Sequence, residues 1–259
     1  MILVMNVGNT NFTVGLKDIN YTNVYKYPSN SIDSCDDFKN AINISIRCSN
    51  IKHEYIKGII ISSVNPTITD KLMLAAYELF SLSPTIVRPI MNMKLNLSNY
   101  DTKLIGSDRI AICEAAVEKY TLPIIVFDFG TATTINVIDS SGYFLGGSIL
   151  AGVSMGLDAL KNDTAQLPHT ILSDLPFSSG KLNLIGHNTN QCLISGALFG
   201  NAAMLDGMTE RIESLLGQKT NIILTGGNAK YIIPLCRSNV IHEPELLIDG
   251  SYLLYLQNS

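Results

Sequence analysis

The sequence predicts a mixed α/β fold made of two similar lobes, and three observations carry that expectation. Short apolar segments bounded by Gly, Asn, Asp or Pro alternate with longer stretches of helical character, the pattern of strands interleaved with helices. One unit, ILVMNVGNTNFTVGL at Ile2–Leu16, returns as IIVFDFGTATTINVI at Ile124–Ile138. Each copy reads as an apolar strand, a polar residue, an apolar residue, a glycine, a small polar turn and a second strand. Each is therefore a hairpin that presents backbone N–H groups and hydroxyls at one end of a sheet. The turn glycines, Gly8 and Gly130, stand about half the chain apart. Repetition of the hairpin in two halves implies two lobes facing a shared central cleft.

Taken in order, Ile2–Asn6 and Phe12–Lys17 are the first two strands, separated by the Gly-Asn-Thr turn. A helical stretch at Ser34–Asn50 follows, then the isoleucine-rich strand Gly58–Ser62 and helical stretches at Thr67–Phe80 and Ser107–Lys119. In the second half, Ile124–Asp128 and Thr133–Asp139 repeat the hairpin, and Tyr143–Ile149 adds a strand. Helical stretches at Gly156–Lys161 and Asn188–Leu216 precede the strand Asn221–Thr225, and Ala229–Arg237 is a last helix. Val, Ile and Leu fill the strands because they pack well on a pleated, buried surface. The lobes are expected to divide near Leu122-Pro123, as 1–122 and 123–259, with freedom for a C-terminal helix to cross back.

Composition narrows the function. The chain has 259 residues, 46% hydrophobic and 15% charged, which suits one large or two smaller domains with proper cores and not a disordered chain. A net charge of -4 offers no basic field for nucleic acid. The five cysteines (Cys35, Cys48, Cys113, Cys192, Cys236) are scattered without a C-x-x-C pair, which argues for reduced thiols in a cytoplasm. The first apolar run is broken by Asn6 and Gly8 and has no basic leader, so it does not read as a signal peptide. No apolar run reaches the ~18 residues of a membrane span. The expectation is a soluble, cytoplasmic protein without a nucleic-acid or membrane partner.

Three segments carry candidate chemistry. At Gly8-Asn9-Thr10, glycine permits close approach of a ligand, and Asn, Thr and exposed N–H groups can hold phosphate oxygens. An ordinary hairpin turn uses the same residues. The second copy, Asp128-Phe129-Gly130-Thr131-Ala132-Thr133-Thr134, is richer in hydroxyls than a routine turn. Its acid ends a buried apolar strand, where it is costly unless it meets a cation or donors. At Gly106-Ser107-Asp108-Arg109, Ser107 or Asp108 can simply cap the following helix. Alternatively, Asp108 is a general base and Arg109 a bidentate anion clamp. Finally, Thr225-Gly226-Gly227-Asn228-Ala229 lies between a strand and a helix, where its backbone can approach a nucleotide or form a plain turn. No Walker phosphate loop, Rossmann glycine fingerprint or nucleophile elbow occurs. The four histidines (His53, His169, His187, His242) share no metal spacing.

Together these segments resemble type III pantothenate kinase, a family of the acetate and sugar kinase, Hsp70 and actin superfamily. NVGNT resembles the family's first phosphate loop, D-x-G-N-T, and DFGTATT its second. SSVNP at Ser62–Pro66 resembles its S-S-V-x-P segment, and Asn99-Tyr100 followed by GSDR resembles its Tyr…G-x-D-R substrate region. Gly146-Gly147-Ser148-Ile149 with Gly152, TAQLP at Thr164–Pro168, GHNT at Gly186–Thr189, and TGGNA complete the series. Each motif is weak alone; in this order over nearly the whole chain they are specific.

The resemblance implies an α/β fold of two ribonuclease-H-like lobes, the actin-like ATPase fold, around a central cleft. It implies transfer of phosphate from ATP to pantothenate, giving 4′-phosphopantothenate, the first step of coenzyme A synthesis. Mg²⁺, a monovalent cation (K⁺ or NH₄⁺) and a homodimer are implied as well. By the same resemblance Asp108 is the base. Tyr100, Gly106, Ser107, Asp108, Arg109 and Thr189 bind pantothenate. Asn6, Gly8, Asn9, Thr10, Gly130, Thr131, Thr133, Thr134, Gly226 and Gly227 bind ATP, and Asp128 lies near the monovalent cation. The C-terminal half would hold the dimer interface and the nucleotide-pocket segment.

Two departures stand out. Ala151 replaces a usual Pro in a segment associated with the dimer interface, with little expected consequence. Asn6 replaces an Asp that acts through Mg-ATP. Asn keeps the size and one carbonyl oxygen but loses the charge, and hard cations prefer carboxylate. The loss is expected to weaken metal-ATP handling by roughly 1.5–3 kcal/mol. The alternative function is therefore a catalytically weak or inactive binding or regulatory protein on the same scaffold. A kinase for another small hydroxy acid is a third reading, against which Tyr100 and GSDR speak.

Overall fold

The computed structural model describes residues 1–63, 65–172 and 182–259. In chain order the strands are β1 (Ile2–Val7), β2 (Asn11–Lys17), β3 (Thr22–Pro28), β4 (Gly58–Ser63), β5 (Thr85–Ile86), β6 (Ile124–Phe129), β7 (Ala132–Ile138), β8 (Phe144–Ala151), β9 (Asn221–Thr225) and β10 (Ile241–His242). The helices are α1 (Cys35–Cys48), α2 (Pro66–Phe80), α3 (Ser107–Lys119), α4 (Val153–Asn162), α5 (Thr189–Leu216), α6 (Ala229–Ile232) and α7 (Leu246–Gln257). They form two units, each with a five-stranded sheet.

The first unit comprises Met1–Tyr120, Gly142–Phe144 and Glu245–Ser259. Its strand order is β3-β2-β1-β4-β5, with β1, β2 and β3 antiparallel and β4 and β5 parallel to β1. Alternation gives the sheet two buried faces. Leu3, Met5, Val7, Phe12, Val14, Leu16, Ile59 and Ile61 pack with Phe38, Ile42 and Ile46 of α1 and Leu72, Ala75 and Ala76 of α2. Each fully buried aliphatic or aromatic side chain contributes about 1.5–3 kcal/mol. Helix α1 starts at a capping box, in which Ser34 Oγ accepts from Asp37 N at 3.1 Å and Asp37 Oδ2 accepts from Ser34 N at 3.0 Å. This satisfies two end donors at once. On the other face lies α7, where Ile248 occupies the space a Cβ on Gly15 of β2 would need.

The second unit comprises Thr121–Ser141 and Leu145–Pro244. Its order, β10-β9-β6-β7-β8, repeats that of the first sheet, with an antiparallel hairpin β6–β7 and a parallel neighbour β9 on the other side of β6. Ile125, Phe127, Phe129 and Ile135 pack against Leu157 of α4 and Ile194, Leu198, Ala202 and Leu205 of α5. The mixed α/β class, with two sheets of equivalent strand order, is as expected from the hairpin repeat.

Several elements were not expected from the sequence. β3, β5 and β10 are short or polar, and α7 has no amphipathic period because LLIDGSYLLYLQ is apolar nearly all round. Such a helix is a buried one. It packs so closely on α3 that a Cβ on Gly250 would stand 1.7 Å from the Ala111 carbonyl oxygen. Residues 245–259 thus group with the first unit, the crossing back of a C-terminal helix that the boundary near Leu122-Pro123 left open. The helix expected over Ala229–Arg237 stops at Ile232 and becomes a 3-10 turn at Ile233–Leu235, as Pro234 lacks the N–H that a continuing helix needs. Val64 of the SSVNP segment lies outside the described residues. Among the described residues no helix is long and apolar enough to cross a membrane.

Candidate active site

The two sheets carry matching polar rows. In the first, Asn6 of β1 stands in register with Thr13 of β2 and Ser62 of β4. In the second, Asp128 of β6 stands in register with Thr134 of β7 and Thr225 of β9. Directly opposed residues share a face, so each row faces away from the apolar neighbours that alternate with it. In both cases the row lies at the end of the central strand, just before the hairpin turn.

The first turn is held firmly. Gly8 N donates to Asn11 O at 3.0 Å and closes the hairpin; Ser29 Oγ donates to Gly8 O at 2.8 Å, and Ser29 N to Thr10 O at 2.9 Å. Asn9 and Thr10 are exposed at its tip, while Asn6 beneath it is buried.

The second turn is enclosed by two glycines. Gly226 has φ +91, and a Cβ there would meet Asp128 Oδ1 at 2.4 Å and the Phe129 backbone at 2.5 Å. A Cβ on Gly152 would stand 2.0 Å from the Thr131 carbonyl oxygen and 2.7 Å from that of Gly130. Only glycine permits either approach. Asn228 N donates to Phe129 O at 3.0 Å and ties the T-G-G-N segment to the same strand end. Gly227 faces open space. Thr131 is exposed, and Thr134, half-buried, accepts from Asn136 Nδ2 at 3.1 Å. Thr133 pairs with Phe129 on the core face; it has no exposed surface, and its hydroxyl has no partner among the described residues.

The G-S-D-R segment forms the first turn of α3. Gly106 is the N-cap position. Ser107 Oγ lies 2.9 Å from Ser62 Oγ and donates to Ser63 O at 3.2 Å. The hydroxyl pair therefore joins the Asn6 row to the helix that carries Asp108. Asp108 is half-buried, and its Oδ1 accepts from Arg109 N at 2.8 Å. Arg109 is buried, with its guanidinium carbon 5.4 Å from the centre of the Phe144 ring. Tyr100 meets the same ring edge-on at 4.8 Å. Phe144 thus gathers a guanidinium and a phenol onto one aromatic platform, an arrangement favoured by the ring quadrupole.

Sequence reasoning missed Phe144, and it quoted Ser62 within the SSVNP segment without giving it a role. Phe144 stood in a strand with no motif to mark it, and the pairing of Asn96 with residues 142–144 brings it to Tyr100. Thr189 belongs to the second unit, where the other substrate candidates are in the first. It is the first residue of α5, behind Asn188, whose Oδ1 accepts from Gln191 N at 3.0 Å. It is exposed and lines an apolar groove of about 370 Å³ with Leu157, Leu160, Leu193 and Ala197. No group of three or more His, Cys, Asp or Glu able to hold a metal occurs among the described residues.

The site components thus offer exposed turn donors, hydroxyls beside an acid or amide, and an acid–guanidinium pair at a helix start. Such parts suit positioning and charge neutralisation in group transfer. The sequence model of the type III pantothenate kinase family matches residues 2–211. Relatives named type III pantothenate kinase include one from Exiguobacterium sibiricum, 33% identical over 100% of both chains. Another, from Listeria innocua, is 34% identical over 100% of this chain and 98% of its own. Among solved structures, a conserved Baf family protein from Campylobacter jejuni aligns with TM-score 0.57 at 18% identity, over 98% of this chain and 97% of that one. Component A of (R)-2-hydroxyglutaryl-CoA dehydratase from Acidaminococcus fermentans aligns with TM-score 0.55 at 13% identity, over 98% and 96%. At those identities the structural likeness is one of fold.

Proposed function

The chain belongs to the type III pantothenate kinase family, and from that premise we propose that it phosphorylates pantothenate with ATP, giving 4′-phosphopantothenate and ADP. This is the entry step of coenzyme A synthesis. The observation that carries the reading is the placement of Asp108 and Arg109 on the first turn of α3, tied through Ser107 and Ser62 to the Asn6 row.

Asp108 accepts the proton of the pantothenate hydroxyl as its oxygen attacks the γ-phosphorus. The bond from that phosphorus to the β-γ bridging oxygen breaks, and ADP leaves with the electron pair. Such a transfer depends on alignment and charge neutralisation more than on covalent catalysis. Arg109 holds the pantothenate carboxylate, as its planar fork suits bidentate pairing. Tyr100, Gly106, Ser107 and Thr189 shape the acceptor site. Gly8, Asn9, Thr10, Gly130, Thr131 and Thr134 hold ATP phosphates. The enclosed side chain of Thr133 limits it to a backbone contribution. Gly226 and Gly227 line the nucleotide pocket.

Each row taken by itself offers oxygen donors that suit hard cations: Asp128, Thr134 and Thr225 in the second unit, and Asn6 in the first. Asp128 would hold the monovalent cation, K⁺ or NH₄⁺, and Asn6 would act toward Mg-ATP through its single amide oxygen. When bound, these ions neutralise charge on the phosphates.

A homodimer is supported by exposed apolar side chains in one region of the second unit. Ile149 and Leu150 in β8 and Met155 and Leu160 in α4 are 66%, 37%, 44% and 43% exposed. These four large apolar side chains fall within twelve residues of the chain, and exposed apolar surface that gathers in one place marks interaction sites. Light scattering on wild type and Leu160→Glu tests it, with a dimer expected for the first and monomer for the second.

The kinase reading is tested by ADP release from purified protein with ATP, Mg²⁺ and K⁺. Release that requires pantothenate is expected. ATP turnover indifferent to pantothenate, or none at all, overturns the reading.

A further inference from the structure

Glu114 lies on α3 six residues after Asp108, and its side chain has no exposed surface. A buried carboxylate persists only where donors surround it. Its Oε1 accepts from Lys94 N at 3.0 Å and from Gln257 Nε2 at 2.8 Å, and its Oε2 from Leu95 N at 2.8 Å. Two of these donors are main-chain N–H groups in the segment leading to Tyr100. The Lys94 ammonium pairs elsewhere, with Glu118 one turn further along α3 at 2.7 Å.

From Leu95 the contacts run in a closed circuit. Asn96 N donates to Gly142 O at 2.9 Å, and Phe144 N donates to Asn96 O at 2.9 Å. The Phe144 ring then meets Tyr100 at 4.8 Å and the Arg109 guanidinium at 5.4 Å. Arg109 is back on α3, so the circuit begins and ends on one helix. Tyr100 N also donates to Leu97 O at 3.0 Å, which fixes the turn between the anchored residues and the phenol. An apolar residue at position 114 could fill the space but would leave two N–H groups without acceptors. A carboxylate has two acceptor oxygens and no donor, and so serves both.

We propose that Glu114 is a positioning residue for the acceptor substrate: by fixing residues 94–96 to α3 it sets Phe144, and through Phe144 the relative placement of Tyr100 and Arg109. The role rests on the reading that Tyr100 and Arg109 hold pantothenate. Its effect should fall on the acceptor and spare the nucleotide, because the circuit includes no turn residue of either hairpin. Displacements near 1 Å in substrate-holding groups have large rate effects.

The test is Glu114→Gln, which nearly keeps the volume but turns an NH₂ toward at least one main-chain N–H. The expected result is a rise of about tenfold in KM for pantothenate, with KM for ATP within about twofold of wild type. Faster hydrogen exchange at the amides of residues 94 and 95 is expected alongside. A lower melting temperature with both KM values unchanged marks a purely structural residue and overturns the proposal. If Glu114→Gln does not accumulate as folded protein, Gln257→Leu decides. It removes one donor and keeps the carboxylate, and about a threefold rise in KM for pantothenate is expected; an unchanged value overturns the proposal. Wild-type protein without pantothenate-dependent ADP release overturns the functional reading and this proposal together. An active wild type whose Glu114→Gln variant keeps its KM for pantothenate overturns the proposal alone.

Discussion

Asn6 and Asp128 occupy the same place in two copies of one sheet. Each is the fifth residue of the central strand, β1 or β6, and each has hydroxyl residues in register on both sides: Thr13 and Ser62 for Asn6, Thr134 and Thr225 for Asp128. The second row carries a negative charge and the first does not. Asn6→Asp should therefore improve metal-ATP handling, raising kcat/KM for ATP by about ten- to a hundredfold, as expected for roughly 1.5–3 kcal/mol. Steady-state kinetics over a Mg²⁺ series checks this, and the gain should grow as Mg²⁺ is lowered. In metal-free buffer the same variant should melt lower than wild type, because a carboxylate then replaces an amide at a site only 9% exposed.

Asp108→Asn keeps the shape of the first turn of α3 and the acceptor oxygen facing Arg109 N, but removes the base. A fall in kcat of about 10²–10⁴-fold is expected, with KM for ATP nearly unchanged. Initial rates of ADP release with pantothenate check it.

Gly226→Ala forces a side chain into φ +91, with its Cβ 2.4 Å from Asp128 Oδ1. The left-handed backbone alone costs about 1–2 kcal/mol, and the contact displaces the acid. From the proposed role of Asp128 toward a monovalent cation, a rate that no longer responds to K⁺ and at least about a tenfold fall in kcat/KM for ATP are expected, read from rates of wild type and variant with and without K⁺.

Gly250→Ala attacks the fold instead of the chemistry. The added Cβ would lie 1.7 Å from the Ala111 carbonyl oxygen, so α7 must separate from α3. Overpacking against backbone should cost about 3 kcal/mol. A clear fall in melting temperature by calorimetry is expected. Gly156→Ala, where an added Cβ meets nothing within 4 Å, serves as the control.

Two acids on α5 should make the second unit acid-sensitive. Burial raises the Asp206 carboxyl, but N–H donation from Arg237 and Ser238 outweighs it and holds the group below its ordinary range. Glu213 is likewise raised by burial yet lowered overall by Lys219 and the Thr220 N–H. Groups lowered in the folded state contribute stability that is fully present above their unfolded pKa, near 4, and lost as pH falls through the folded value. Melting temperature should therefore decline below about pH 4, and Asp206→Asn should lower it at pH 7 while flattening that decline.

The hairpin repeat, and with it the two-sheet architecture, was legible because glycine-bounded apolar runs have few alternative readings. The same holds for β9 at Asn221–Thr225, which follows the local preference for β-branched residues; α3 also starts at Ser107 as expected, but neither Ser107 nor Asp108 caps it, since the N-cap position is Gly106 and carries no side-chain cap. Helix α7 was not legible: a helix apolar on every side has no period to detect, and its reason for existing is the face of α3 and β2 that it covers.

The sequence by itself determined the two turns, the polar residue before each, and the Asp108-Arg109 step at a helix start, because local backbone chemistry suffices for these. Only the tertiary structure decided that Ser62 bridges the Asn6 row to Ser107, that Thr133 is enclosed, and that Glu114 and Phe144 bind residues 94–100 to α3. Those relations join residues distant in sequence through hydrogen bonds and ring contacts. Such contacts leave no local pattern, since any buried donor can be satisfied by whichever acceptor the packing brings to it.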